Sequence, residues 1–195
     1  MQLEFPGIYW SFEGEKSEQA ETIASLQYLY IIALIIIYAL LAIPFNSYIQ
    51  PIIVMAAIPF GLIGAVWGHV VMGMDVTILS GFGVVALTGV VVNDSLVMVD
   101  YVNRKRGIGL SEMESARQAG LSRFRPILLT SLTTFAGLTP LLLEKSLQAK
   151  FLVPMGISLG FGVIFATVIT LILVPAMYLI LEDIRTFLFG PEDKL

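Results

Sequence analysis

The stretch "LQYLYIIALIIIYALLAIPF", residues 26–45, contains no Asp, Glu, Lys or Arg. A helix needs roughly 20 apolar residues to cross a hydrocarbon core about 30 Å thick. The charge-free region extends further and fills the whole stretch between Glu21 and Asp75, which is long enough for two such helices. Charged residues make up 13% of the chain, against about 25% in a typical soluble domain. The sequence therefore predicts an integral membrane protein.

The long runs are apolar on all sides, which indicates helices, because the strands of a membrane barrel alternate apolar and polar residues. The predicted fold class is all-α integral membrane, with five transmembrane helices. Their predicted ranges are 26–45, 52–72, 76–102, 126–143 and 151–181. The chain has no Cys and a single His, so we expect neither a disulfide nor a metal site. That His69, with Trp67, is interpreted as an interfacial anchor of the second span.

The longest polar connection, residues 103–125, reads "NRKRGIGLSEMESARQAGLSRFR" and holds six of the eleven basic residues. Basic residues stay on the cytoplasmic side of short loops, so this loop is predicted to be cytoplasmic. Counting spans from it places the N-terminus outside and the C-terminus inside. Ser111 and Glu114 fit a capping box, followed by a short helix at the headgroups that Gly120 can end. Pro126 suits the first turn of the fourth span.

An acidic residue lies deep in the third span, within "GVVVNDSLVMVD", residues 89–100. Asp94 is about seven residues from the cytoplasmic end of the span, which is roughly 10 Å inside the membrane boundary. An ionised carboxylate at that depth costs at least a few kcal/mol unless it is paired, neutral or facing a polar cavity. Asp100, near the interface, can reach water and is interpreted as a boundary residue.

Hydroxyl groups on the fourth span are predicted to face this acid. Thr130 and Ser131 follow Pro126 by four and five residues, so in an antiparallel pair of spans they come level with Asn93 and Asp94. A hydroxyl donates to a carboxylate or accepts from a carboxylic acid. The cluster would therefore suit both protonation states of the acid.

Two functions fit that cluster: a proton relay, or a structural polar clamp that only fixes helix packing. The relay is favoured because acids within a membrane mark proton or ion pathways by default. An intramembrane aspartyl protease would need two facing carboxylates. Asp94 and Asp100 are six positions apart, about 240° around a helix, so they cannot form such a pair and the protease is set aside.

Glycines recur at short intervals in the second and fifth spans. Small residues let helix backbones approach closely in a bilayer, so these positions are predicted to lie in helix–helix contacts. The residues concerned are Gly64, Gly68, Gly156, Gly160 and Gly162.

Four motifs follow one another in the chain: "IPFGLIGAVWG", "GVVVNDSLVMVDY", a basic loop ending in "RFRPILLTSLTTFAGLTPLL", and "GISLGFGVIFATVITLILVPAMY". In this order and spacing, residues 26–185 resemble the last five transmembrane helices of resistance-nodulation-division (RND) efflux permeases of the hydrophobe/amphiphile type. Residues 1–25, with "GIYWSFEGE", resemble the final strand and linker of a periplasmic porter domain. Residues 186–195 would be a cytoplasmic tail.

The resemblance implies that the five spans are helices eight to twelve of a twelve-helix permease that exchanges protons for amphiphilic compounds. In multidrug members the proton relay comprises two aspartates on the fourth helix, a lysine on the tenth, and a threonine and an arginine on the eleventh. By motif match these last three positions fall on Asn93, Thr130 and Arg123, so the lysine is missing. Its neighbour, usually Asn, is Asp94, which becomes the expected proton-site residue, with Asn93 as its hydrogen-bonding neighbour.

The resemblance also implies a multi-pass protein of the bacterial inner membrane that acts as a transporter and not as an enzyme. The expected partners are the N-terminal half of the permease, two further copies in a homotrimer, a periplasmic adaptor, an outer-membrane channel and the lipid bilayer, but no nucleic acid. Protons are the coupling ion, and no cofactor is expected. The alternative is a non-transporting membrane assembly or scaffold module in which the polar clamp is structural.

Overall fold

A computed structural model of the chain describes residues 14–189, and within that range all regular elements are helices. In chain order they are α1 (Glu15–Phe45), α2 (Gln50–Met55), α3 (Ile58–Met72), α4 (Ile78–Gly107), α5 (Glu112–Leu142), α6 (Leu147–Lys150) and α7 (Val153–Phe189). The all-α prediction is confirmed for the described part of the chain.

Four stretches are long and apolar enough to cross a membrane: Ser17–Phe45, Gln50–Met72, Ile78–Gly107 and Val153–Ile184. The fifth predicted span belongs to α5, whose first turns are charged. Its charge-free part, residues 126–142, is at the short end of the range of about 17–25 residues that spanning helices use. Four to five helices of the described chain are thus compatible with membrane spans.

The second span is broken after its first turns, between α2 and α3. Residues 56 and 57 form a turn, and Pro59 lies in the first turn of α3. Proline has no N–H to donate and its ring clashes with the carbonyl four residues earlier, so it interrupts a continuous helix but fits the first turn of a new one.

The predicted loop at residues 103–125 is mostly helical, which corrects the boundaries drawn from the sequence. α4 continues to Gly107, α5 begins at Glu112, and only residues 108–111 form a turn. Gly120 does not end a helix and Pro126 does not begin one, because both lie inside α5. We call the end of the bundle with this turn the loop end.

Packing explains why α5 continues through a glycine and a proline. Ser115, Ala116 and Ala119 are buried, and Ala119 belongs to the main hydrophobic core. The first turns of α5 are therefore not a solvated helix lying at the headgroups, since their small face packs into the bundle. The predicted cap is present: the Ser111 hydroxyl accepts a hydrogen bond from the Glu114 N–H at 3.4 Å.

The predicted terminal segments only partly coincide with described residues. Residues 1–13 and 190–195 lie outside the described residues. The predicted porter strand and most of the predicted cytoplasmic tail fall there, so the structure does not test these two predictions. Residues 15–25 belong to α1, and residues 182–189 belong to α7. Both outer helices are thus longer than the apolar runs from which they were predicted.

Helix α7 is the centre of the bundle, in contact with α3, α4 and α5. Its buried residues contribute to all three hydrophobic clusters: Val174 and Tyr178 at the loop end, Val163 and Ala166 in the middle, and Ile157 at the opposite end. Helix α1 is peripheral and only 6% of its apolar window is buried. The bundle therefore has a packed interior formed by α3, α4, α5 and α7.

Glycines lie where α7 meets its neighbours. A Cβ added at Gly64 of α3 would be 2.9 Å from the Phe161 carbonyl oxygen and 3.1 Å from the Cα of Gly162, and one at Gly68 would be 2.5 Å from the Cβ of Phe161. Gly162 similarly leaves room for Leu87 of α4. Gly156 and Gly160 pack more loosely, at 3.1 Å from Leu141 and 3.3 Å from Phe135 of α5.

We predict that Gly64→Ala destabilises the bundle by about 1–3 kcal/mol, because the methyl group would meet backbone atoms that cannot move aside. The matched control is Gly120→Ala in α5, where nothing lies within 4 Å of the added Cβ. That change should stabilise the protein by about 0.5–1 kcal/mol through helix propensity alone. Thermal unfolding in detergent compares the two. Equal effects of the two substitutions would contradict the close approach of α3 and α7.

Candidate functional site

Asp94 lies on α4 and is buried, with 7% of its surface exposed. Val91 and Met98, one turn before and after it, are buried as well. Among the side chains and backbone groups that the structure describes, none forms a hydrogen bond or ion pair with its carboxyl group. The next residue, Ser95, is fully buried and its hydroxyl also lacks a partner in the described chain. Two adjacent polar groups are thus held in the apolar interior of α4 without local compensation.

Asn93 and Thr130, the two positions matched to relay residues of multidrug permeases, are exposed on the surface of this chain. The exposed positions of α4 follow a helical interval of three to four residues, at Phe82, Ala86, Gly89 and Asn93. On α5, Thr133 and Gly137 continue the exposure that begins at Thr130. These two helices pack against each other. They present a surface of small and polar side chains next to the buried acid.

The hydroxyl groups of α5 do not bind Asp94, which corrects the predicted cluster. The Thr130 hydroxyl donates to the Pro126 carbonyl at 2.8 Å. Ser131 is fully buried, donates to the Ile127 carbonyl at 3.0 Å, and is in close hydrogen-bonding contact with Thr167 of α7. In a helix a Ser or Thr hydroxyl readily bonds the carbonyl four residues earlier, and this local bond has replaced the one expected across the helices.

Arg123 lies at the loop end, beside an aromatic ring rather than beside the acid. Its guanidinium carbon is 5.0 Å from the centroid of the Tyr101 ring, a cation–π distance. The Tyr101 hydroxyl bonds Ser122 at 3.0 Å. The Nε of Arg123 is buried and has no partner in the described range. Tyr101 is seven residues beyond Asp94, about 10 Å along the helix, so Arg123 and Asp94 form no pair in this conformation.

His69 is not an interfacial anchor, because only 3% of it is exposed. One ring nitrogen contacts the Ala65 carbonyl at 2.9 Å and the other contacts the Ser80 hydroxyl at 2.8 Å. Ser80 also accepts from the Thr77 N–H at 3.0 Å, which closes a capping box at the start of α4. His69 therefore joins α3 to the first turn of α4, whereas Trp67 is exposed as predicted for an anchor.

A groove of about 940 Å³ lies beside His69, between the first half of α1, α3 and the start of α4. Its walls are mainly aliphatic, and Ser80 and Ser158 contribute polar atoms. The Ser158 hydroxyl is buried and unpaired among the described residues. Asp94 does not line this groove.

Sequence reasoning missed a polar network at the loop end. Arg106 of α4 bonds Glu182 of α7 and Glu112 of α5, both at 3.0 Å, and donates to the Tyr178 hydroxyl at 3.2 Å. Tyr178 donates to Asn103 at 3.0 Å, and Asn103 exchanges two hydrogen bonds with Gln50. The sequence did contain one signal, because Glu182 follows directly on a long apolar run. In the structure this side chain is buried, with 6% of it exposed.

A family model described as AcrB/AcrD/AcrF matches residues 1–182, nearly the whole chain. The chain belongs to the AcrB/AcrD/AcrF family. This AcrB/AcrD/AcrF chain is also similar to two X-ray structures of a heavy metal efflux pump, in crystal forms I and II, with 26% sequence identity and TM-scores of 0.76 and 0.79. The matches cover 91% and 93% of this chain but only 18% of the pump chains.

The family match and the two structural matches confirm the predicted RND family, while the hydrophobe/amphiphile type stays a prediction. Together with the long apolar helices of the described residues, the family match supports a multi-pass membrane protein. Because the AcrB/AcrD/AcrF chain spans about a fifth of the pump chains to which it is similar, its bundle corresponds to one portion of a larger protein fold.

We predict that Ser131 and Thr167 stabilise the packing of α5 on α7. A double-mutant cycle with Ser131→Ala and Thr167→Ala should give a coupling energy of about 0.6 kcal/mol, the usual value for hydrogen bonds between helices in a membrane. The free energy of unfolding in mixed micelles is the measurement. A cycle between Ser131→Ala and Asp94→Asn is the control and should show no coupling. Coupling in the second cycle and none in the first would restore the cluster predicted from the sequence.

Proposed function

We propose that the chain is the C-terminal membrane half of a proton-driven RND efflux permease, in which Asp94 takes up and releases the coupling proton. The observation that carries the proposal is the buried carboxyl group without a partner in the described residues. An ionised acid in a bilayer interior is costly unless it is paired or hydrated. A carboxyl that changes between the neutral and charged forms as its surroundings change is the basis of a proton-coupled transporter.

The exposed surface beside Asp94 supports the proposal that the groups that pair with Asp94 belong to another part of the permease. Asn93 and Thr130 are exposed on adjacent helices, and exposed polar groups within a membrane face protein or water rather than lipid. We propose that the N-terminal half of the permease packs against this surface. Asn93 and Thr130 would then provide hydrogen bonds on that surface, while Ser131 holds α5 in place behind them.

The role of Arg123 differs from that of an ion-pair partner. Arg123, on α5, is stacked on Tyr101 of α4 at the loop end, about 10 Å along α4 from Asp94. We propose that Arg123 serves the relay from the cytoplasmic side, where its positive charge favours the ionised form of groups that release a proton there. The missing lysine at position 93 is then compensated by charges on the other half of the permease.

The scaffold alternative assigns Asp94 to a structural clamp. A clamp does exist in the bundle, but it consists of Ser131 and Thr167, and Asp94 has no part in it. The buried acid therefore contributes a desolvation cost without a local structural benefit. A costly group with no structural bond favours the transport function over the scaffold.

The remaining proposals follow from family membership and from charge. We place the loop end, with its six basic residues in positions 103–125, in the cytoplasm of a bacterial inner membrane. A homotrimer, a periplasmic adaptor and an outer-membrane channel complete the assembly. The motif order supports amphiphilic substrates, whereas the structural neighbours are described as heavy metal efflux pumps, so export assays should include both amphiphiles and metal ions.

Asp94→Asn, introduced at the chromosomal locus, is predicted to reduce proton-coupled export to the level of cells without the protein, because an amide cannot exchange the proton. The matched control is Asp100→Asn on the same helix. Asp100 is half-exposed and paired with Arg104 at 2.7 Å, and an exposed pair contributes about 0–1 kcal/mol. Efflux of a fluorescent amphiphile and accumulation of metal ions are measured at matched protein levels. Full export by the Asp94 variant on every substrate that the wild type exports would refute the role of Asp94.

Single cysteines test the proposed topology, since the native chain has none. Met113→Cys in the first turn of α5 should be blocked only by reagents that enter the cytoplasm. Leu143→Cys, exposed at the opposite end of α5, should react with an impermeant maleimide from outside. The reverse pattern in intact cells would invert the topology derived from the basic loop.

A further inference from the structure

Three helices meet at a single guanidinium group at the loop end. The Nη2 of Arg106 on α4 is 3.0 Å from the Oε1 of Glu112 on α5 and 3.0 Å from the Oε1 of Glu182 on α7. The exposed fractions of the three side chains are 24%, 41% and 8% respectively. Glu182 is therefore fixed in the interior, and Glu112 is the member that water can reach.

The charges of this cluster do not balance when both acids are ionised. One guanidinium then faces two carboxylates, and Asp183 adds a further negative charge nearby. The Glu112 and Glu182 carboxyl groups lie side by side, since each has its Oε1 3.0 Å from the same Arg106 Nη2, and a proton on one of them would let it donate a hydrogen bond to the other. A cluster with one shared proton is neutral overall, because the charges of Arg106 and one carboxylate cancel.

We propose that Arg106, Glu112 and Glu182 form a pH-sensitive latch that holds the start of α5 against α7 when the two carboxyl groups share a proton. When both carboxylates are ionised, the latch opens and Glu112 turns to water. The latch lies in a different part of the molecule from Asp94 and does not depend on the proton step proposed there.

The rest of the network explains why Glu112 moves and Arg106 does not. Arg106 donates from Nη1 to Tyr178 at 3.2 Å, and Tyr178 is bonded through Asn103 to Gln50 of α2. These bonds hold Arg106 and the α7 side of the cluster on the packed core, to which Tyr178 belongs. On the other side, α5 follows directly on the turn at residues 108–111, where Gly109 has a φ of +90°.

The direction of the pH response follows from the surroundings of Glu112. Partial burial raises the pKa of the Glu112 carboxyl, the negative charge of Glu182 raises it further, and Arg106 opposes the shift. An acid with a raised pKa in the latched state binds its proton more tightly there than when it is released. Acidification therefore favours the closed latch, and the latch opens as the pH rises through that pKa. The other acid of the first turn, Glu114, bonds Arg117 and Gln118 of its own helix instead.

Spin labels at Met113→Cys and Ile184→Cys, both exposed, report the distance between the start of α5 and the end of α7. The intact protein is reconstituted in lipid nanodiscs and measured by double electron–electron resonance from about pH 5 to about pH 8, the range in which raised carboxyl pKa values fall. We expect a short distance at low pH. The ratio of long to short distances should rise by up to about tenfold for each pH unit between the ordinary pKa of a glutamate and the raised pKa of latched Glu112, and it should level off above the raised value.

Two substitutions separate the latch from a general effect of pH. Glu112→Gln should keep the short distance at every pH, because an amide donates to Glu182 and accepts from Arg106 without titrating. Glu114→Gln changes an acid two residues further along α5 that bonds Arg117 and Gln118 instead of the cluster, so it should retain the wild-type response. A distance that does not change with pH in the wild type, or a response that persists in Glu112→Gln, would overturn the latch.

Discussion

Close approach of helix backbones is the constraint on which this bundle depends. Lipid chains are as apolar as the helices, so association relies on packing and on hydrogen bonds between helices. Gly64 and Gly68 of α3 and Gly162 of α7 remove side chains where the backbones cross. α7 can then contact three neighbours at once, and the residues that carry chemistry are held on α4 and α5 against this common helix.

The same packing determines which buried polar groups have a hydrogen-bond partner. Ser131 and Thr167 satisfy each other between α5 and α7, and His69 bonds across from α3 to α4. Asp94 is buried in the same bundle but shares none of these bonds. Because the Thr130 and Ser131 hydroxyls bond backbone carbonyls of their own helix rather than Asp94, protonation of Asp94 need not break these contacts. The arrangement thus separates the group proposed to titrate from the groups that stabilise the helices.

The sequence was sufficient for the helical class, because charge-free runs and glycine intervals are local properties of the chain. It failed where tertiary contacts overrode local preference. Gly120 and Pro126 are ordinary helix breakers, yet α5 continues through both because Ala116 and Ala119 are buried in the bundle. Apart from Arg106 and Glu112, which are six positions apart, the loop-end network joins residues 53 to 76 positions apart. Such separations follow no short sequence interval, so these partners could be found only from the structure.

The two buried acids, Asp94 and Glu182, illustrate two solutions to the same electrostatic problem. Glu182 is compensated within the chain by Arg106, and this pair ties α7 to α4. Asp94 is almost equally buried, but its compensation must come from a proton or from groups outside the described residues. A carboxyl whose only available partner changes with conformation is the one whose charge a transport cycle can alter.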